Sequence, residues 1–271
     1  MSSSADPQAA AGSPSSGIVV RRHASCVVEI ELDRPQSLNA VSTDLAREIS
    51  STLRSISADD ETRAVVLSSS SERAFCVGAD LKERSRFSDD DLLAQRPVIR
   101  ELFGSVRDLP MPAIAAVHGF ALGGGFELAL SCDVIVADST AVFGLTEVTV
   151  GLVPGGGGTQ LLPRRVGAGA AAHLILSGRK VEADEAFRLG IADQLVPKGQ
   201  ALTAALELAS MIAANSPIAV RAAKRAVRAA YGSAGAFDVE DVSWHTAAVS
   251  ADRREGIAAF AEKRKPNWSG R

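Results

Sequence analysis

Apolar and polar residues alternate at Val28, Glu29, Ile30, Glu31 and Leu32 within the stretch 26–32, the period of a half-buried strand. Ile18-Val19-Val20 precedes it, with His23-Ala24-Ser25 as the turn, which predicts a hairpin. Asp33-Arg34-Pro35 ends the second strand. The period then changes. Val41, Leu45, Ile49 and Leu53 recur every four residues, one stripe of an amphipathic helix. Ala64–Leu67 reads as a short buried strand, serines 68–71 as a loop, and Ala74-Phe75-Cys76 as a strand running into a sharp turn at Gly78-Ala79-Asp80. A helix follows over 90–107, with Leu92, Leu93, Ile99, Leu102, Phe103 and Val106 on its apolar side, and Pro110 and Pro112 forbid its continuation. Ala113–Val117 is a small-residue buried strand. Beyond residue 158 helical periods dominate, at 168–176, 182–189, 200–214, 217–230 and 236–249, with one strand at Ile191–Val196. The chain is therefore α/β. Both a doubly wound sheet and a spiral of strand-strand-helix turns with a helical tail satisfy the pattern.

Two glycine clusters interrupt it. Gly123-Gly124-Gly125 stands directly before the helix-forming Phe126-Glu127-Leu128-Ala129-Leu130, and Pro154 is followed by Gly155 through Gly158. Each glycine in a regular element costs about 1 kcal/mol relative to alanine, so such runs mark close backbone approach. Tight packing alone satisfies that need. A helix start also offers unpaired N–H groups at the positive end of its dipole, suited to an oxygen that gains charge. Glu127 in the first turns and Glu147 in an otherwise apolar segment favour the chemical role. Two N–H groups, one from the turn at Gly78-Ala79 and one from Gly123-Gly124, could stabilise an enolate. Two adjacent carboxyls push their pKa values apart, so that one donates while the other accepts. A purely structural Glu147 would instead pair with Arg164 or Arg165.

Composition narrows the alternatives. The 271 residues are 46% hydrophobic and 23% charged with a formal net charge of -3, a globular chain with no cationic excess to suggest nucleic acid. No apolar run reaches a membrane span of about 20 residues. Cys26, Cys76 and Cys132 are scattered, and a reducing, cytoplasmic compartment is expected. Residues 1–17, rich in Ser, Ala, Pro and Gly without Lys or Arg, read as a disordered tail and not as a targeting segment. The sequence has no Walker A run, no G-x-S-x-G and no H-E-x-x-H, and its four histidines are dispersed. Gly167-Ala168-Gly169 follows poor strand sequence and reads as helix packing rather than a dinucleotide site. His118 is expected to be a hydrogen-bonded structural residue, and the basic run Arg221–Arg228 a solvated helix face.

The motifs resemble those of the enoyl-CoA hydratase/isomerase family, the crotonases. The likeness runs through Arg34-Pro-Gln-Ser-Leu-Asn-Ala40, Ala74-Phe-Cys-Val-Gly-Ala-Asp-Leu-Lys82, Ala121-Leu-Gly-Gly-Gly-Phe-Glu-Leu-Ala129, Pro154-Gly-Gly-Gly-Gly-Thr-Gln160, Asp252-Arg-Arg-Glu-Gly256 and Phe260-Ala-Glu-Lys-Arg264. The resemblance implies a crotonase-like spiral core over 18–200 and a C-terminal helical region over 201–271 that builds trimers or dimers of trimers. It implies an acyl-CoA ligand and no metal or redox cofactor. It also implies oxyanion donors at the Ala79 and Gly124 N–H groups, and acid/base roles for Glu127 and Glu147. Gly155 is then expected near the water position. Asp80, Leu81 and Lys82 fall in the CoA-binding segment, Ser37 and Leu38 on its nucleotide side, and Phe260 and Lys263 are further CoA contacts. Leu145-Thr146 stands where many family hydratases carry Gln-Pro, which bears on the acyl pocket. Hydration of a 2-enoyl-CoA is the reading the two acids favour. The alternatives are an isomerase, a branched-substrate hydratase of the methylglutaconyl type, and a non-catalytic acyl-CoA- or RNA-binding module.

Overall fold

The computed structural model describes residues 17–230, 242 and 250–271; apart from residue 242, the segment read as a helix over 236–249 lies outside the described residues, as does all but the last residue of the N-terminal tail. Strands β1 (Ile18–His23) and β2 (Val27–Leu32) form the antiparallel hairpin that the alternation predicts. Helix α1 (Thr43–Ser57) buries Leu45, Ala46, Ile49, Leu53 and Ile56, and the Ser42 side chain caps it by accepting from the Leu45 N–H. Three successive units then share one plan. Strand β3 (Ala64–Ser69) is followed by β4 (Ala74–Cys76) and by the helices α2 (Leu81–Arg84) and α3 (Asp89–Arg107). Strand β5 (Ala113–Val117) is followed by β6 (Phe120–Leu122) and α4 (Gly124–Ser131). Strand β7 (Val134–Asp138) is followed by β8 (Val142–Gly144), a 3-10 turn at Glu147–Val150, and α5 (Gly158–Val166).

In each unit the first strand joins a six-stranded sheet and the second joins a smaller one. The sheet orders are β1-β2-β3-β5-β7-β10 and β4-β6-β8-β9, where β9 is Val181–Glu182 and β10 is Gln194–Val196. Strands β2, β3, β5, β7 and β10 run parallel, as do β4, β6 and β8. A chain that steps between two sheets at every turn is a spiral, which decides against the doubly wound sheet. The large sheet is covered on both faces, as parallel sheets require. Val65, Leu67, Ala115 and Val117 face α1 and α3, whereas Ala64, Val66, Ile114 and Ala116 face α8 (Ala201–Ala213).

Helices α6 (Ala168–Ser177), α7 (Ala183–Leu189) and α9 (Pro217–Ala229), with α10 (Ala251–Glu262), complete the described structure. The basic run on α9 is not a solvated face. Lys224 Nζ lies 2.8 Å from Asp133 Oδ2 and donates to the Met111 carbonyl at 2.7 Å. Arg228 donates to Asp133, to the Ser131 carbonyl and to the Arg107 carbonyl. The last two acceptors end α4 and α3, where orphaned carbonyls draw cations. No single helix among the described residues is long and apolar enough to cross a membrane; α8 and α9 pass that test only together and meet at 111°.

Candidate active site

The turn after β4 and the start of α4 lie against each other. Val41 forms a parallel bridge with Ala79: its N–H donates to the Gly78 carbonyl at 2.7 Å, and its carbonyl accepts from the Asp80 N–H at 3.0 Å. That pattern uses the groups flanking Ala79 and turns its own N–H to the opposite side. At the neighbouring turn, Gly123 donates to the Gly144 carbonyl at 2.7 Å and ends the β6–β8 ladder. Gly124 follows as the first helical residue, with an N–H that no turn of helix can satisfy. Neither the Ala79 nor the Gly124 N–H finds an acceptor among the described residues. The two turns touch. A Cβ on Gly78, whose φ is +86°, would stand 2.8 Å from the Gly124 nitrogen. One on Gly125 would stand 2.0 Å from the Cys76 carbonyl oxygen. Backbone contact of that closeness admits only glycine.

The second glycine cluster holds Glu127. Its Oε1 accepts from the Gly156 N–H at 2.7 Å and the Gly158 N–H at 2.8 Å. The carbonyls of that loop face the other way, onto α3: Gly155 accepts from Arg96 at 2.6 Å and Gly156 from Arg107 at 3.1 Å. Arginines on the carbonyls and a carboxylate on the N–H groups polarise the intervening peptides in one direction. Glu127 is 3% exposed. Burial pushes its pKa up, and the loop N–H bonds oppose that rise without cancelling it.

Glu147 opens the 3-10 turn after β8 and faces the first cluster. A Cβ on Gly123 would lie 3.2 Å from its Oε1. Its Oε2 is buried and meets no hydrogen-bond partner. Burial, and then the charge of Glu127, push its pKa up to about 7. The pairing with Arg164 or Arg165 does not form: Arg165 bonds Asp193, at 2.9 Å, and the Ile191 and Asp133 carbonyls. Leu145 is buried against Gly158, beside Glu127.

The residues expected to hold CoA are brought together in part. Ser37, Asp80 and Lys82 share a groove of about 610 Å³ with Arg34, Arg86 and Phe87. Asp80 caps α2, accepting from the Lys82 and Glu83 N–H groups at 3.1 and 3.2 Å, which fixes the chain between oxyanion turn and groove. Leu81 is 63% exposed beside it, and Leu38 lies one residue from Ser37 in a left-handed turn. Gly155 sits in the loop that binds Glu127, but the N–H groups in contact are those of Gly156 and Gly158. Phe260 falls on α10, and its side chain lies outside the described residues; Lys263 stands just past the end of that helix. His118 is held as a structural residue, with Nε2 2.7 Å from the Ser71 carbonyl.

Sequence reasoning missed Arg96 and the Gly156 and Gly158 donors, because which glycine N–H groups converge depends on the fold of a loop with no side chains.

Residues 22–271 match the model of the enoyl-CoA hydratase/isomerase family. A Bacillus subtilis (strain 168) protein named putative enoyl-CoA hydratase/isomerase YngF is 41% identical over 89% of this chain and 94% of its own length. The Arabidopsis thaliana protein named probable enoyl-CoA hydratase 2, mitochondrial, is 39% identical over 91% of this chain and 82% of its own. The crystal structure of an enoyl-CoA hydratase from Bacillus anthracis superposes with a TM-score of 0.91 at 40% identity, covering 94% of this chain and all of that one.

Proposed function

The chain belongs to the enoyl-CoA hydratase/isomerase family, and from that premise we propose that it adds water across the C2–C3 double bond of a 2-enoyl-CoA thioester. The observation that carries the proposal is the buried carboxyl of Glu127 together with that of half-buried Glu147, one oxygen of which is buried and unpartnered, beside two backbone N–H groups without acceptors. The thioester oxygen sits between the Ala79 and Gly124 N–H groups. They stabilise the enolate that forms when C3 is attacked, each contributing about 2.7–4 kcal/mol by analogy with measured oxyanion donors.

The two acids divide the proton work by environment. Glu127, with Oε1 fixed by two N–H groups, is held as the acceptor and takes a proton from water as its oxygen bonds to C3. Glu147, with a pKa near 7 and an unpartnered oxygen, is the donor that delivers a proton to C2 as the enolate collapses. One water is consumed, and the proton that Glu147 gives is recovered from Glu127 through solvent. Dehydration reverses the roles. The groove around Ser37, Asp80 and Lys82 takes the CoA portion. The same reading needs neither metal nor redox cofactor, and it carries assembly into trimers or paired trimers and a cytoplasmic location.

The test is loss of the conjugated enoyl-thioester absorbance with crotonyl-CoA and longer analogues. Decay in the wild type that disappears in Glu127→Gln and in Glu147→Gln is expected. No decay across the panel, with CoA thioesters still bound, would move the enzyme to the family's isomerase chemistry.

A further inference from the structure

The glycine loop has two faces. Its N–H groups at Gly156 and Gly158 hold Glu127, and its carbonyls at Gly155 and Gly156 turn away to α3. On that second face lies a pocket of about 320 Å³, walled by Gly155 to Gly157, by α3 and by α5. Arg100 and Arg107 reach it from one face of α3, and Arg164 reaches it from α5. Gln160 and Leu161 share the wall, and no acid among the described residues lines it.

The three guanidiniums are short of counter-charge. Arg100 and Arg164 are exposed and meet no acceptor among the described residues. Arg107 is half-buried and gives one hydrogen bond, to the Gly156 carbonyl at 3.1 Å. Burial, and then the charges of Arg228 and Arg100, disfavour its cation against the pull of Asp108 and Glu127. Glu101, next to Arg100, turns to Arg54 on α1, and Asp108, next to Arg107, does not line the pocket. Neither α5 nor α6 carries an acidic residue. Taken singly, Arg100 and Arg164 read as solvated surface side chains. Three guanidinium forks on one pocket repel one another and match the several oxygens of a tetrahedral oxyanion, whereas one fork already satisfies a carboxylate.

We propose that this pocket binds a phosphate-type oxyanion as an effector, and that the bound anion acts on Glu127 through the glycine loop. Arg107 is the link. Its bond to the Gly156 carbonyl polarises the peptides whose N–H groups hold Glu127 from the other side. An anion that draws the Arg107 guanidinium to itself takes that polarisation away and loosens the hold on the proton acceptor. The link to catalysis rests on the hydration reading; the binding site does not.

The experiment titrates inorganic phosphate and pyrophosphate into the protein by calorimetry. Ionic strength is held constant with chloride, so that screening does not change, and the CoA groove is first filled with saturating butyryl-CoA. The wild type should bind one anion per chain. Arg100→Gln and Arg164→Gln should each weaken binding by about tenfold to a hundredfold, the worth of a hydrogen bond between charged groups, with melting curves as the control for folding. In the hydration of crotonyl-CoA, saturating anion should lower kcat and leave KM unchanged in the wild type, and the same concentration should lose that effect in either variant. No saturable binding in the wild type, or binding that survives both substitutions, overturns the site and leaves hydration standing. An anion that raises KM at constant kcat competes with the substrate and overturns the link to Glu127. Anion binding that depends on Arg100 and Arg164, in a protein that turns over no enoyl thioester, sinks the hydration reading and leaves the site standing.

Discussion

At the scale of single residues, Glu127 and Glu147 are the same side chain in two environments. Glu127 is tied down by two N–H groups; Glu147 has a buried oxygen with no partner. Replacing Glu147 by Gln removes the proton donor and keeps the shape. Hydration should fall by about 10²–10⁴-fold, the usual worth of a positioned acid, while equilibrium binding of a saturated acyl-CoA persists. Lost binding with a collapsed melting curve would make Glu147 structural instead. The pH dependence follows from the same group. A donor whose pKa is about 7 is protonated below that value and ionised above it, so kcat/KM for hydration should decline as pH rises past about 7. Stability carries the matching sign. The folded pKa exceeds the ordinary 4.5, so the native state binds this proton more tightly than the unfolded chain, and stability is lost as pH rises from about 4.5 to about 7. Glu147→Gln should therefore raise Tm on the alkaline side of 7 by more than on the acidic side. Equal shifts on both sides would contradict the assigned pKa.

At the scale of elements, the oxyanion turn and α4 form one unit that tolerates no added carbon. Gly125→Ala would force a Cβ within 2.0 Å of the Cys76 carbonyl oxygen. The expected cost is about 3 kcal/mol, at the upper end for overpacking, read as a fall in Tm together with lost turnover, because the Gly124 N–H moves with the helix. An unchanged Tm would mean that β4 and α4 are looser than the contact implies. Much of this unit was legible in the sequence, because three glycines directly before helix-forming residues mark close backbone approach. So was the α1 stripe, where one face is buried and the period is regular; the hairpin was legible too, but β2 is not half-buried, since Glu29 on its polar face is 2% exposed, and Leu92 and Leu93, read onto the apolar side of α3, are 37% and 70% exposed. The small sheet was harder. Strands β6, β8 and β9 are two or three residues long, too short for a period to register. Helix α5 was hidden by the glycines that start it and by Pro163 inside it. The acids were legible by type and position; Arg96 was not, because it acts on the Gly155 carbonyl, 59 residues away in sequence.

At the scale of the whole molecule, the spiral lets three short strand-strand-helix units deliver their turns to one place: Gly78-Ala79 from the first, Gly123-Gly124 and Glu127 from the second, Glu147 and the Gly155–Gly158 loop from the third. The cluster around Asp133 locks α9 onto that frame. Lys224 is 8% exposed at its side chain and reaches Asp133 together with Arg228. The basic run looked solvated because sequence spacing cannot show that an acid from β7's approach stands opposite it. Asp133→Ala strands a buried ammonium and should cost about 3–5 kcal/mol of stability, the penalty of a broken buried pair. Asp133→Asn, which keeps a hydrogen-bonding group, should cost less, and denaturant midpoints for the two variants would reveal it. Product analysis tests the convergence of the three units on one enolate site. The protein is incubated with crotonyl-CoA in heavy-oxygen water, and the acyl product is examined by mass spectrometry. The expected product is 3-hydroxybutyryl-CoA carrying the heavy oxygen at C3, formed by the wild type and by neither Glu127→Gln nor Glu147→Gln. Recovery of unchanged thioester from the wild type, or heavy oxygen incorporated equally by both variants, would contradict it.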